Sequence, residues 1–180
     1  MIRLARREDT EAMLQIYAPF VQNTAVSLEF DVPTPEEFMA RFDSITRHYP
    51  WLVWKEGGRV LGYAYASRAL ERAAYQWDAD VSIYMAEEAR HTGAAHRLYQ
   101  RLEAIMTRLG YFNLYALITA GNTDSRQFHE RRGYRLEGVL RCAGYKFGQW
   151  HDLCWYALHL KEGEDPADGP VPFDPAMLEE

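Results

Sequence analysis

The sequence predicts a mixed α/β fold, a largely antiparallel sheet flanked by helices, and three observations carry that reading. Trp51-Leu-Val-Trp54 and Val60-Leu-Gly-Tyr-Ala-Tyr65 flank the turn residues Glu56-Gly-Gly58, the pattern of an antiparallel hairpin. Residues 78–85 alternate: Val81, Ile83 and Met85 are apolar, whereas Asp80, Ser82 and Tyr84 carry polar tips, so this strand has two unlike faces. An amphipathic helical repeat and a mostly apolar run at 114–120 then complete a strand–helix–strand unit.

The remaining elements follow in order. Residues 2–5 suit a short first strand. Ala12, Met13, Ile16, Tyr17 and Phe20 recur at helical spacing, with Glu8, Asp9 and Glu11 near the positive end of that helix dipole. Residues 23–30 are β-leaning. Thr34-Pro-Glu-Glu37 is a capping box with proline at the first helical position, ahead of Phe38, Phe42 and Ile45. Beyond the 78–85 strand, Ala95, Leu98, Leu102, Ile105 and Leu109 make a helix that Gly110 ends. A short helix is expected over 125–132, stopped at Gly133, and the last strands over 134–140 and 153–160.

With 180 residues, 48% of them hydrophobic and 14% aromatic, the chain has ample material for one core. Residues 1–160 read as a single domain, and 161–180 as an acidic, proline-containing tail that adds little to the core. The net charge of −6 argues against nucleic acid as the main partner, because neutralising phosphates needs a basic face. No apolar run approaches the ~20 residues of a membrane span, and the N-terminus lacks the apolar core of a signal peptide. Cys142 and Cys154 form no CxxC motif or disulfide framework, so a cytoplasmic protein is the default expectation.

The opening of the 94–109 helix carries the first functional signal. Strand, small-residue turn, then helix N-terminus is an arrangement that binds phosphate, because the first helical N–H groups have no acceptor and the dipole adds positive charge. Gly93, Ala94 and Ala95 leave that backbone bare, and Arg90 can add a full charge. The three spaced glycines of a dinucleotide fingerprint and the Gly-Lys-Ser/Thr of a P-loop are both absent.

Arg90-His-Thr-Gly-Ala-Ala95 resembles the Arg/Gln-x-x-Gly-x-Gly/Ala pyrophosphate motif of the GNAT superfamily of N-acetyltransferases. Asn122-Thr-Asp-Ser125 followed by His129-Glu-Arg-Arg-Gly-Tyr134 is similar to that superfamily's second cofactor segment. Tyr49-Pro-Trp-Leu-Val53, Gly62-Tyr-Ala-Tyr-Ala66, Arg72-Ala-Ala-Tyr-Gln-Trp77 and Gly144-Tyr-Lys-Phe-Gly-Gln-Trp-His-Asp152 resemble its phosphinothricin and methionine sulfoximine acetyltransferase branch. The resemblance covers about residues 1–160. It implies a GNAT-type fold, acetyl-CoA as co-substrate, a small-molecule amine as acceptor, and a homodimer. In that reading Arg90, His91, Thr92, Gly93, Ala94 and Ala95 grip the pyrophosphate, the backbone of Ile83, Tyr84 and Met85 pairs with the pantetheine amides, and Asn122 and Ser125 complete the cofactor site.

Acetyl transfer to an amine requires that the ammonium lose a proton before it attacks. Asp80, on the polar face of the strand leading to the phosphate loop, is the candidate base. The branch usually has Glu at this position, and Asp is one methylene shorter. His129 lies where the resemblance implies a group that protonates the departing thiolate or touches substrate. Arg72 is placed to clamp an acceptor anion, with Phe30, Tyr75, Trp77 and Lys146 as further lining residues. Leu70 stands where the branch usually carries a second basic residue, which favours an acceptor with an uncharged side chain over doubly anionic phosphinothricin. The other histidines form no ligand-spaced cluster, so no metal is expected. Two rivals share the cofactor: transfer to a protein N-terminus, lysine or polyamine, and a non-catalytic acyl-CoA-binding module.

Overall fold

The structure is a computed structural model that describes residues 1–161, 166 and 168–178. In chain order the elements are β1 (Ile2–Leu4), α1 (Thr10–Asn23), α2 (Pro35–Thr46), β2 (Trp51–Glu56), β3 (Arg59–Arg68), β4 (Asp78–Met85), α3 (Ala94–Arg108), β5 (Asn113–Thr119), α4 (Thr123–Arg131), β6 (Arg135–Lys146) and β7 (Gln149–His159). They build one sheet of seven strands in the order β1-β2-β3-β4-β5-β7-β6. Only the β4–β5 pairing is parallel.

The alternation of strand side chains sorts the core into two layers. Trp51, Val53 and Tyr63 point to one face, where they bury Met13, Ile16, Tyr17 and Val21 of α1 and Phe38 and Phe42 of α2. Leu52, Ala64, Ala66, Ala79, Val81, Leu114 and Ala116 point to the other and bury Leu98, Tyr99, Leu102, Ile105 and Met106 of α3. The α2 cap forms as predicted: the Thr34 N–H donates to Glu37 Oε2 at 2.8 Å, and the Glu37 N–H donates to Thr34 Oγ1 at 3.2 Å.

Three expectations change. The β-leaning segment 23–30 is no strand: Asn23 ends α1 and residues 24–33 are a loop, where Lys146 Nζ donates to the carbonyls of Thr24 (2.9 Å) and Ser27 (2.7 Å) and also to that of Val21 in α1 (2.7 Å). The last strands extend well beyond 134–140 and 153–160 and meet in a hairpin at Phe147-Gly148, whose φ angles of 51° and 76° suit a primed turn matching the strand twist. The tail does contribute to packing. The Val171 N–H donates to the Leu109 carbonyl at 2.8 Å, the Trp77 indole N–H donates to the Asp168 carbonyl at 3.1 Å, and Phe173 packs against the α3-side core. The tail residues 162–165, 167, 179 and 180 lie outside the described residues. Among the described residues no helix is long and apolar enough to cross a membrane.

Candidate active site

The site is set by where β4 and β5 part. Their ladder has three matched pairs, Asp78 with Asn113, Ala79 with Leu114 and Asp80 with Tyr115. From Val81 to Met85, β4 stays paired to β3 but has no strand on its other side. A row of backbone donors and acceptors is thereby left open beside the phosphate loop, the edge that an extended amide-bearing chain can complete. Ile83, Tyr84 and Met85 lie on that stretch, as the sequence predicts. Their side chains serve packing: Met85 is buried toward α3, and the Tyr84 ring packs on Tyr17 and Phe20.

Asp80 sits at the fork. It is half-buried, its carboxylate makes no hydrogen bond with another described residue, and burial alone raises that carboxyl from the usual 3.8 to about 6. Such a carboxylate is still mostly ionised at neutral pH and is a better proton acceptor than an exposed aspartate. Across the ladder it faces Ser67, and the next pair on the same face is Tyr65 with Ser82.

The phosphate loop has the predicted form. Gly93 takes φ +83° at the cap of α3, a left-handed conformation that side-chain-bearing residues rarely adopt, and nothing lies within 4 Å of where its Cβ would be. The first α3 hydrogen bond runs from the Arg97 N–H to the Gly93 carbonyl at 3.1 Å, so the amides of Ala95 and His96 have no backbone acceptor. Thr92 Oγ1 holds the turn by donating to the Ala89 carbonyl at 2.8 Å and accepting from the Ala94 N–H at 3.4 Å. An open helix start with free amides fits a pyrophosphate. His91 is exposed at φ 60°. Arg90 is exposed, but its guanidinium lies 5.2 Å over the Phe20 ring, toward α1.

Asn122 caps α4, its Oδ1 accepting from the Ser125 N–H at 3.3 Å. The Ser125 carbonyl and His129 Nδ1 are 2.7 Å apart, and the Ser125 Oγ lies 3.4 Å from the same nitrogen. A carbonyl oxygen only accepts, so Nδ1 carries the proton, and Nε2 accepts from the Tyr99 hydroxyl at 2.9 Å. His129 is 2% exposed and edge-on to Tyr99, Phe128 and Tyr134, and burial depresses its pKa to about 4. The expected proton shuttle is therefore a neutral, fully bonded histidine that ties α4 to α3. Its isolation comes from the aromatic rings that close around it.

The acceptor-side residues divide. Lys146, predicted to line the substrate, is 3% exposed with all three ammonium protons on carbonyls, so it fastens the β6–β7 hairpin to the α1–α2 loop instead. Gly144 reinforces that contact, since a Cβ there would come within 2.5 Å of Leu28. Trp77, in the turn before β4, gives its indole N–H to the Asp168 carbonyl of the tail. Arg72 and Tyr75 lie exposed on the loop before β4, and Phe30, 74% exposed, lies on the α1–α2 loop.

Residues absent from the sequence expectation complete the wall. Arg41 of α2 and Glu29 of the α1–α2 loop form an ion pair at 2.7 Å on the side of the sheet that α1 and α2 cover. A pairing twelve residues apart across a loop leaves no periodic signal. A cavity of about 630 Å³ lies elsewhere, between α1, the β2–β3 turn and residues 85–90, and Asp80 does not line it.

Residues 2–155 match the family described as Acetyltransferase (GNAT) domain. Similar proteins include a phosphinothricin N-acetyltransferase of Streptomyces viridochromogenes, 34% identical over 84% of this chain and 83% of the relative. An L-methionine sulfoximine/L-methionine sulfone acetyltransferase of Pseudomonas paraeruginosa is 32% identical over 88% of this chain and 94% of the relative. Among solved structures, a phosphinothricin acetyltransferase from Sinorhizobium meliloti in complex with acetyl-CoA superposes with a TM-score of 0.89 at 34% identity, covering 96% and 95% of the two chains. With a parted β4–β5 edge, an open helix start and a desolvated carboxylate between them, the chain belongs to the GNAT acetyltransferase family and is an N-acetyltransferase that uses acetyl-CoA as co-substrate.

Proposed function

We propose that this enzyme acetylates the α-amine of a small amino-acid analogue of the phosphinothricin, methionine sulfoximine or methionine sulfone type, by direct attack of the amine on the thioester. The observation that carries this reading is Asp80, an unpaired, half-buried carboxyl at the fork of β4 and β5 with its pKa raised to about 6. The co-substrate supplies the activated acetyl group. The protein's part is to hold the pyrophosphate at the α3 start, to leave the β4 edge free for the pantetheine, and to take a proton from the acceptor ammonium at an Asp80 oxygen, directly or through one water. His129, closed off between Tyr99 and Ser125, contributes by fixing the α3–α4 wall rather than by carrying a proton.

Charge narrows the acceptor. Leu70 supplies no second cation, Lys146 is committed to carbonyls and the charge of Arg41 is balanced by Glu29, which leaves Arg72 to hold the α-carboxylate. A zwitterion with an uncharged side chain matches that balance better than a doubly anionic acceptor. Apolar residues exposed on the β6–β7 hairpin, Leu136, Leu140, Tyr145, Phe147 and Trp150, support a homodimer that covers them. The compartment we assign is the cytoplasm.

The test is CoA-thiol release with a panel of acceptors: methionine sulfoximine, methionine sulfone, phosphinothricin, polyamines and peptides with free N-termini. Release with the first two, and weaker release with phosphinothricin, is the expected pattern. Release confined to peptides or polyamines overturns the reading, and thermal stabilisation by CoA without any release identifies an acyl-CoA-binding module instead.

A further inference from the structure

The Glu29–Arg41 pair faces the acceptor side of the sheet with an unmet need. Glu29 Oε1 accepts from Arg41 Nη2 at 2.7 Å, while Glu29 Oε2 is buried and has no hydrogen-bond partner. A buried carboxylate oxygen without a donor is costly, and such an atom in a native site points to a ligand that supplies one. Arg41 keeps further N–H donors beyond the one given to Glu29. Side by side, the two side chains present one acceptor and one donor.

Their position relative to Asp80 fits a side chain. Tyr65 stacks on Trp51, which packs against Phe38 and Phe42 of α2, and Asp80 alternates onto the same face of the sheet as Ser82 and Tyr84, so the pair and Asp80 lie on one side of it. Along the β3–β4 ladder, Tyr65 pairs with Ser82 and Ser67 with Asp80, a separation of two residues, or about 7 Å of strand. In an extended amino acid whose α-nitrogen meets Asp80, a heteroatom on the side chain's fourth heavy atom lies about 6 Å away at ordinary bond lengths.

We propose that Glu29 and Arg41 are specificity-determining residues that read an uncharged acceptor side chain bearing an oxygen acceptor next to an N–H donor, as in a sulfoximine or a carboxamide. The side-chain oxygen accepts from Arg41 and the N–H donates to Glu29 Oε2. A sulfone offers two oxygens and no donor, so one of them meets the Glu29 carboxylate lone pairs and is rejected. This inference rests on the amino-acid acceptor reading above.

Methionine sulfoximine and methionine sulfone differ at this point only by N–H against oxygen, so their ratio of kcat/KM reports the pair. Wild type is expected to prefer the sulfoximine by about 10- to 100-fold. Glu29→Gln keeps its carbonyl on Arg41, which only donates, and turns an N–H toward the acceptor, so the ratio should invert in favour of the sulfone. The double variant Glu29→Leu/Arg41→Leu should bring the ratio to within about twofold of unity with the KM for acetyl-CoA unchanged. A merely structural pair would lower both rates together and leave the ratio alone. An unchanged ratio in Glu29→Gln, with both amino acids still acetylated, overturns this inference and leaves the function standing. Failure of wild type to acetylate either one overturns both.

Discussion

Asp80 and Tyr115 are the last matched residues of the parallel ladder between β4 and β5, and beyond them the two strands separate. Asp80 is therefore fixed by hydrogen-bonded backbone on both sides while the edge immediately after it stays open. That geometry makes Asp80 a rigid group at the closed end of a cleft, held by strands rather than by a loop.

Replacing Asp80 by Asn should lower kcat by about 10²- to 10⁴-fold while leaving the KM for acetyl-CoA within about twofold. In wild type, log kcat/KM should rise with pH through a limb near 6, the value to which burial lifts this carboxyl, and the limb should vanish in the variant. Unchanged turnover in Asp80→Asn removes the residue from the chemistry.

Stability should respond to pH in opposite senses at two buried groups. Asp80, raised from 3.8 to about 6, binds its proton more tightly when folded, so its charge destabilises the fold progressively as pH rises from about 4 to 6 and fully above that. His129, lowered from 6.5 to about 4, binds its proton more weakly when folded, so stability is lost as pH falls from about 6.5 to 4. Over that shared window the two effects offset one another. Asp80→Asn should therefore be more stable than wild type at pH 7, by at most about 3 kcal/mol, and should show the steeper acid destabilisation. Melting curves between pH 4 and 8 check both; a variant with the wild-type pH slope rejects the account.

Lys146→Met should be a stability lesion with a local kinetic echo. It strips the donor from the carbonyls of Val21, Thr24 and Ser27, at a cost of about 3 kcal/mol, or roughly 10 °C in Tm. The acceptor KM should rise as the α1–α2 loop loosens, and the KM for acetyl-CoA should hold. A kinetic defect at unchanged Tm would mean instead that the ammonium touches the acceptor.

Gly93→Ala separates backbone conformation from bulk. A Cβ at this residue meets nothing within 4 Å, yet φ +83° costs alanine about 1–2 kcal/mol. The α3 start should relax away from the anion-binding geometry, weakening acetyl-CoA binding by about tenfold in calorimetry while Tm falls by only a few degrees. Retained affinity would show that the turn has no part in holding the pyrophosphate.

The sequence made local features legible because local physics decides them. Alternation in β4, the Thr34 capping box and the Gly93 helix start each depend on neighbours within a few residues, and each stands as expected. What escaped depends on distant partners. Residues 23–30 have the composition of a strand, but Thr24 and Ser27 surrender their carbonyls to Lys146, more than a hundred residues later. The β6–β7 hairpin runs past its apolar segments because most of β6 is exposed, so no buried face marks its length. His129 reads as reactive until Tyr99, Phe128 and Tyr134 close over it, and Glu29 and Arg41 read as ordinary surface charges until the α1–α2 loop brings them together.

Lys146 also sets an order in time. Its bonds to Val21 and Ser27 span 125 and 119 residues of chain, among the longest separations a protein of this size can close. During synthesis the α1–α2 loop therefore cannot be pinned until the end of the penultimate strand has left the ribosome. The α3-side core closes later still, because Cys154 and Tyr156 of β7 belong to it, so the two faces of the sheet are sealed by the last two strands in turn.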